Sequence, residues 1–417
     1  MKGKFIQVGI AALVISLPST VIAARYDSIV TGKSDPGSDI VAVQSAIDKG
    51  GSVLLKGTFD FGKDGKVKIS KDVNVYGETD AQGIPVTKIQ GGFWTFHSTL
   101  PEQLPIQSPG PKIGIQSIHF DGAVWSPIFL PYCGGAEITN NKITNVRPVP
   151  GTVFGKEGMY RHQGITLVPL FALPKEHQKY QPGAVTGTIM IADNDIDLST
   201  DLPEKTMAQG VLVIGATGAN IQILRNRVVN CSRNSLESLD NYPGEDGGGM
   251  TIIKGNKIVT ANKGIPLPTA STPNGIIAGW FLDLAGANDP ARLTKIVVTK
   301  NQIEARGESS LGITVLSDGA VVTSNYLNMA GGANSTGIFH GTSDSIISNN
   351  KIEGAGSYAI NVMGFQKLTP RRNVIMDNDY TAFKASKADV FVGGVNNLVL
   401  EENSKVVDQD QANVVLK

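Results

Sequence analysis

One six-residue pattern recurs down the chain and leaves few folds open: an apolar residue, two variable ones, Asn, one variable residue and a second apolar residue. It reads Ile138/Asn141/Ile143, Ile191/Asn194/Ile196, Ile223/Asn226/Val228, Ile253/Asn256/Ile258, Val298/Asn301/Ile303, Val322/Asn325/Leu327, Ile347/Asn350/Ile352 and Ile375/Asn378/Tyr380, with a frayed copy at Leu400/Asn403/Lys405. Successive Asn residues lie 53, 32, 30, 45, 24, 25, 28 and 25 residues apart. Coils of about 25 residues, with loops inserted in some, account for those intervals and predict a stacked solenoid. The apolar positions are mostly Ile and Val, which favour strands. Asn tolerates the left-handed backbone that a sharp bend between two short strands requires, and stacked copies can pass amide hydrogen bonds along a ladder.

A second motif precedes each Asn: a small or polar residue, then alternating apolar ones that begin at Ile128, Ile165, Val211, Leu236, Ile276, Ile313, Ile338, Ile360 and Val390. Three short strands per coil, stacked at about 4.8 Å, make an all-β, single-stranded parallel β-helix of roughly 11 coils with a dry interior. A leucine-rich repeat shares the Asn signature, but it wants Leu at most framework positions and a helical or extended return segment. Near the start, Ile40, Val43 and Ile47 share one helical face before Gly50-Gly51, so a short helix over about 39–49 is expected to cover the open end of the stack.

Composition narrows the setting. With 48 Gly in 417 residues and 37 basic side chains balancing 37 acidic ones, the chain is turn-rich and formally neutral. No long-range field gathers nucleic acid or an anionic membrane, so neither is expected as a partner. Lys2 and Lys4, the apolar stretch 5–17, Pro18 and the small-residue end at Ala23-Ala24 read as a secretory signal peptide over 1–23. The remainder, 24–417, then forms one domain that is secreted or periplasmic, with loop-rich coils over about 110–305 and bare coils over about 306–407. Cys133 and Cys231 could pair after export, but a chain this long does not need the bridge.

The helix-then-strand start and the Asn-turn coils, from about Asp39 to Val407, resemble the pectate-lyase-like right-handed β-helix superfamily. The resemblance implies a right-handed coil and, commonly, cleavage or epimerisation of acidic polysaccharides on the outward face of the first strand of successive coils. Signatures of particular catalytic families are missing. The chain has no paired-aspartate set of the polygalacturonase type, no Arg-x-Pro-x-x-Arg of pectate lyases and no Asp-Pro-His-Asp of alginate epimerases. Fold alone does not assign function.

Insertions point to a place for chemistry. They fall at 146–163, 198–209 and 259–274 before the first strand and at 169–185, 242–249 and 282–294 after it, so they are expected to wall a cleft. Alternatively, they only cover apolar surface. By the period-two rule the outward row reads Phe129, Thr166, Leu212, Glu237 and Ile277, in which Glu237 is the one charge. A carboxyl flanked by Leu212 and Ile277 is partly desolvated and suits a general acid or base, with Asp240 as a second carboxylate. Arg233 and His162 complete the catalytic candidates. Trp125, Arg161, Gln163, Asn241, Asn274 and Trp280 are candidates for binding sugar hydroxyls, a uronate carboxylate or a ring face.

Each candidate has a structural counterpart. Glu237 could simply pair with Arg233, and Gln163, Gln209, Asn234 and Asn274 recur at one framework position, as an amide ladder would. Glu245, Asp246 and Asp283 fit no known calcium loop, so no cofactor is expected and calcium is a weak option. Three functions follow: a polysaccharide lyase or glycoside hydrolase, a non-catalytic carbohydrate-binding β-helix, or a structural surface-assembly protein. A poly- or oligosaccharide is the expected partner of the first two.

Overall fold

The computed structural model describes residues 26–416 other than 154, 170–180, 267–272, 287–288, 367, 403 and 411. The proposed signal peptide and the Asn403 copy of the repeat lie outside the described residues. The rest is a parallel β-helix. A 14-stranded sheet runs from Ser28–Thr31 to Val414–Leu416 in chain order, and the other strands join in a 22-stranded sheet. Strands pair in parallel with the coils before and after, while the antiparallel pair Val149–Val153 and Lys156–Leu167 is a hairpin grown from one insertion.

The interior is filled by alternate residues of each strand, stacked coil on coil. Ile128, Ile165, Val211, Leu236, Ile276, Ile313, Ile338, Ile360 and Val390 stack in register and are fully buried, as the second motif predicts. Glycine precedes many of them because the corner brings backbones together. A Cβ on Gly275 would stand 2.4 Å from the carbonyl oxygen of Gly312 and 2.9 Å from Ile303 Cγ2. Cys133 and Cys231 are both buried and free.

Helix Pro36–Ile47 starts a few residues earlier than its apolar face suggests, because Asp35 caps it and Pro36 opens it. Val43, Ala46 and Ile47 seal the first coils. Asp39 is buried on the same end, where it accepts from the backbone N–H groups of Lys33, Asp35 and Asp60.

The Asn residues of the repeat do form a ladder, but not as residues in left-handed backbone. That conformation belongs to the residue before each one, Asn140, Asp193, Arg225, Gly255, Lys300, Ser324, Asn349 and Asp377, with φ between 52° and 70°. This frees the Asn side chain to point inward along the stack. Each Nδ2 donates to Oδ1 of the next Asn at 2.9–3.0 Å, from Asn141 through Asn194, Asn226, Asn256, Asn301, Asn325 and Asn350 to Asn378. The second Nδ2 hydrogen goes to a carbonyl of the previous coil, as in Asn256 to Ile223, and the backbone N–H also bonds the next Oδ1. The last rung is a carboxylate, since Glu401 accepts from Asn378 Nδ2 at 2.7 Å and from Tyr380 Oη at 2.9 Å.

Asn256 takes part in four side-chain bonds, two accepted from Asn226 and two donated to Ile223 and Asn301. At about 1 kcal/mol each plus the cost of stranded buried groups, Asn256→Ala is expected to lose roughly 4–6 kcal/mol. Urea unfolding would measure it; a loss under about 1 kcal/mol would mean the ladder merely accompanies the fold.

Candidate functional site

On the outside of the coil, two columns of side chains stand side by side. One is the row that follows each inward residue: His97, Phe129, Thr166, Leu212, Glu237, Ile277, Thr314, Phe339, Asn361 and Phe391, whose strand register matches the period-two reading. The other lies three residues earlier in each coil and includes Gln163, Gln209, Asn234 and Asn274. Thr166, Leu212, Glu237, Ile277 and Thr314 are all buried, so the insertions close over the middle of the row and do not wall an open cleft. The reason is apolar: Leu212 and Ile277 pack with Val168, Ile214, Leu239, Phe281 and Leu284 into a second, outer core.

Glu237 sits at the centre of an amide relay. Thr166 Oγ1 donates to Gln163 Oε1 and Gln163 Nε2 to Gln209 Oε1, both at 3.1 Å, and Gln209 Nε2 donates to Glu237 Oε1. From the other side, Asn274 Nδ2 donates to Asn234 Oδ1 at 2.9 Å and Asn234 Nδ2 to Glu237 Oε1 at 2.7 Å. Every amide in the relay therefore turns its donor toward the carboxylate. Burial raises the Glu237 pKa, opposed by the Gln209 bond, the Arg233 charge and the Asn234 bond. Burial likewise lowers the pKa of Arg233, and the charge of Glu237 opposes it.

The other candidates are distributed around this relay. Asp240 is buried and accepts from the backbone N–H groups of Phe281, Leu282 and Asp283, anchoring the loop that follows the next coil's strand. Asn241 holds two coils together by accepting from Ala216 N and donating to Val213 O and Ser238 Oγ. His162 is buried; the Val146 carbonyl, 2.8 Å from Nδ1, can only accept, so Nδ1 carries the proton, and burial takes the ring down to about 4. Trp280, expected to stack on sugar, is 2 % exposed; its Nε1 donates to Asp283 and its ring meets Phe365 edge-on.

Trp125 is different. It is partly exposed, and the Arg161 guanidinium lies 4.8 Å from its ring centre, carried there by the hairpin. Trp94, on the preceding coil, stands 5.0 Å from Trp125 and stacks on Phe129 at 4.3 Å. Phe93 closes the cluster, and Lys66 reaches over Phe93 and Trp94 at 4.5 and 5.1 Å. Both tryptophans occupy left-handed backbone, with φ 50° and 67°, a strained state for a bulky residue. Trp94 Nε1, Trp125 Nε1, Arg161 Nε and His97 Nδ1 are shielded and find no hydrogen-bond partner among the described residues. Sequence reasoning missed Trp94, Phe93 and Lys66. The available signal was the matched placement of Trp94 and Trp125 just before the strands that start at Phe96 and Ile128.

No protein-family model matches the chain, and no curated protein matches it significantly. Among solved structures it is similar to PfbA, a surface adhesin of Streptococcus pneumoniae, at 13 % identity and TM-score 0.46, over 86 % of this chain and 91 % of that one. It is also similar to the Dettilon tailspike protein, at 14 % identity and TM-score 0.40, over 93 % of this chain and 68 % of that one. A third similar structure is a mannuronic acid specific polysaccharide family 6 lyase from human gut microbiota, at 10 % identity and TM-score 0.33, over 93 % and 85 %. The likeness is one of fold alone. Among the described residues no group of three or more His, Cys, Asp or Glu could hold a metal ion, and no helix is long and apolar enough to cross a membrane.

Burial pushes the Asp240 carboxyl from 3.8 up to about 6, with the three backbone donors opposing and Asp283 adding. A carboxyl raised in the folded state binds more protons there than in the unfolded chain, so its contribution is full below pH 3.8 and is lost as pH rises to about 6. Relative to wild type, Asp240→Asn is expected to gain roughly 3 kcal/mol between pH 4 and 7, since it cannot ionise. Urea midpoints across that range test this; a constant difference between the two proteins would refute it.

Proposed function

We propose that the chain is an exported carbohydrate-binding β-helix protein whose recognition surface is the patch of Phe93, Trp94 and Trp125, backed by the buried ring of Phe129 and flanked by Lys66 and Arg161. The observation that carries this reading is the pair of adjacent, partly exposed tryptophans held in strained backbone with unpartnered indole N–H groups. Strain of this kind persists only where surrounding structure enforces it, and it concentrates at ligand sites. The C–H face of a pyranose ring fits the partly exposed face of the paired indoles. Lys66 and Arg161 favour a sugar that carries a carboxylate, such as a uronate. The signal-peptide pattern of residues 1–23 supports a secreted or periplasmic place for such binding.

A second reading keeps catalysis at Glu237, with Arg233 as its cation and Asp240 and His162 as the other candidates, as in a lyase or glycoside hydrolase. What favours it is the raised pKa of a carboxyl beside a guanidinium. It requires the covering loops to open, because Glu237 is 4 % exposed. In that case Glu237→Gln abolishes release of unsaturated or reducing ends from any glycan that is cleaved, and unchanged release removes the assignment.

The binding reading is tested by titrating purified protein with uronate-containing and neutral glycans in a calorimeter, a readout that does not depend on the tryptophans. Wild type is expected to bind at least one acidic glycan, and Trp94→Ala/Trp125→Ala to lose on the order of 30-fold in affinity, as for an aromatic hot spot. Equal affinity in the two proteins, or no binding to any glycan, would overturn it.

A further inference from the structure

The bare coils near the C-terminal end carry a second aromatic cluster on the same outward column. Phe339, Asn361 and Phe391 occupy successive coils in strict register, and their strands are uncovered enough to leave both phenylalanines partly exposed. Tyr358 stands in the neighbouring column, where Gln163 and Asn234 stand further back, with its ring 5.4 Å from that of Phe391. Lys387 reaches over Tyr358 at 5.4 Å. Asn361, only 7 % exposed, lies on the floor between the two phenylalanines, and its Oδ1 has no partner among the described residues.

We infer that Phe339, Tyr358, Asn361, Phe391 and Lys387 form a second subsite for a pyranose unit of the glycan bound at Trp94 and Trp125. An aromatic slot alone would suit any apolar partner. Here the floor is a shielded amide oxygen without a partner among the described residues, a group that a hydroxyl donor would satisfy. Above the slot, Lys387 offers a cation to a carboxylate, as Lys66 and Arg161 do at the first patch. A sugar acid supplies an apolar ring face, hydroxyl donors and a negative charge together.

The spacing sets what such a ligand must be. From Phe129 to Phe339 the column climbs through Thr166, Leu212, Glu237, Ile277 and Thr314. At ~4.8 Å per coil the two clusters lie about 29 Å apart along one column. A short oligosaccharide reaches only one of them, whereas a long chain occupies both and gains from the effective concentration of the second contact.

This inference rests on the first patch binding glycan, and the experiment separates the two. The best acidic polysaccharide from the titration above is immobilised as a long chain, and a tetrasaccharide of the same glycan is used in solution. Tyr358→Ala/Phe391→Ala, checked for folding by circular dichroism, is expected to lose at least tenfold in affinity for the long chain. The same variant should leave tetrasaccharide binding at Trp94 and Trp125 unchanged. Asn361→Ala, which keeps both rings, should give a smaller loss of the same kind. Long-chain affinity unchanged in both variants, while Trp94→Ala/Trp125→Ala weakens it, overturns the second subsite and leaves the first. A change in self-association without a change in glycan affinity also overturns it. Absence of glycan binding by wild type overturns both.

Discussion

A carboxamide has two donors and an oxygen that accepts twice, and stacking one per coil satisfies all four capacities without water. That closed accounting lets Asn141 through Asn378 run buried down the coil, and it gives the ladder a direction, with Nδ2 always toward the next coil. A directed ladder must end on a group that only accepts. Glu401 is that group, and Asp408 is the same for a shorter ladder of Asn373, Asn397 and Asn413, where it accepts from Asn413 Nδ2 at 2.7 Å. Glu237 follows the same logic on the outer face, where amide donors converge on it from both sides. A buried carboxylate at the terminus of an amide chain thus has a structural reason to exist, whatever further role it carries.

The outer column shows what the repeat leaves to variation. Inward positions are mostly Ile, Leu or Val, with Phe96 early in the column, because each must fill the same section of core. Outward positions answer only to their neighbours one coil up and down. Beneath the insertions the row is Leu212, Glu237 and Ile277 under an outer core; in the bare coils it carries Phe339 and Phe391, both partly exposed. Partly exposed aromatic rings are thereby left to the two ends of the covered segment, and the cations Lys66, Arg161 and Lys387 stand over rings there.

The strand register was legible because a period of two leaves no freedom once the inward residue is known. Thus Leu212, Glu237 and Ile277 fall on one row in sequence and in structure alike. Two things were not legible for physical reasons. Loops that wall a cleft and loops that fold down over it have the same sequence signature of added residues, and the difference lies in packing such as that of Phe281 and Leu284 against a cluster shared with Val168, Leu212 and Leu239, segments remote in sequence. From sequence the left-handed residue is expected at the Asn itself, since Asn occupies that conformation more readily than other non-glycine residues. The buried amide needs an inward-pointing side chain, so the bend moves one residue back, onto types as unlike as Arg225, Lys300 and Ser324. Trp280 and Trp125 differ for a similar reason. A Trp under a loop with Asp283 within reach becomes core, and one at an uncovered corner remains a surface.

Rigidity then connects the ladder to binding. In a solenoid held by satisfied buried amides, a surface side chain is displayed from backbone that a ligand does not have to order, so little conformational entropy is lost on contact. The strain at Trp94 and Trp125 is tolerated for the same reason: neighbouring coils fix the corner, and the left-handed states cost about 1–3 kcal/mol each against a framework with many rungs. A flexible loop carrying the same two rings would relax into allowed backbone and lose their 5.0 Å approach. Geometry that a loop could not keep is what the stacked amides make available on the outside of the coil.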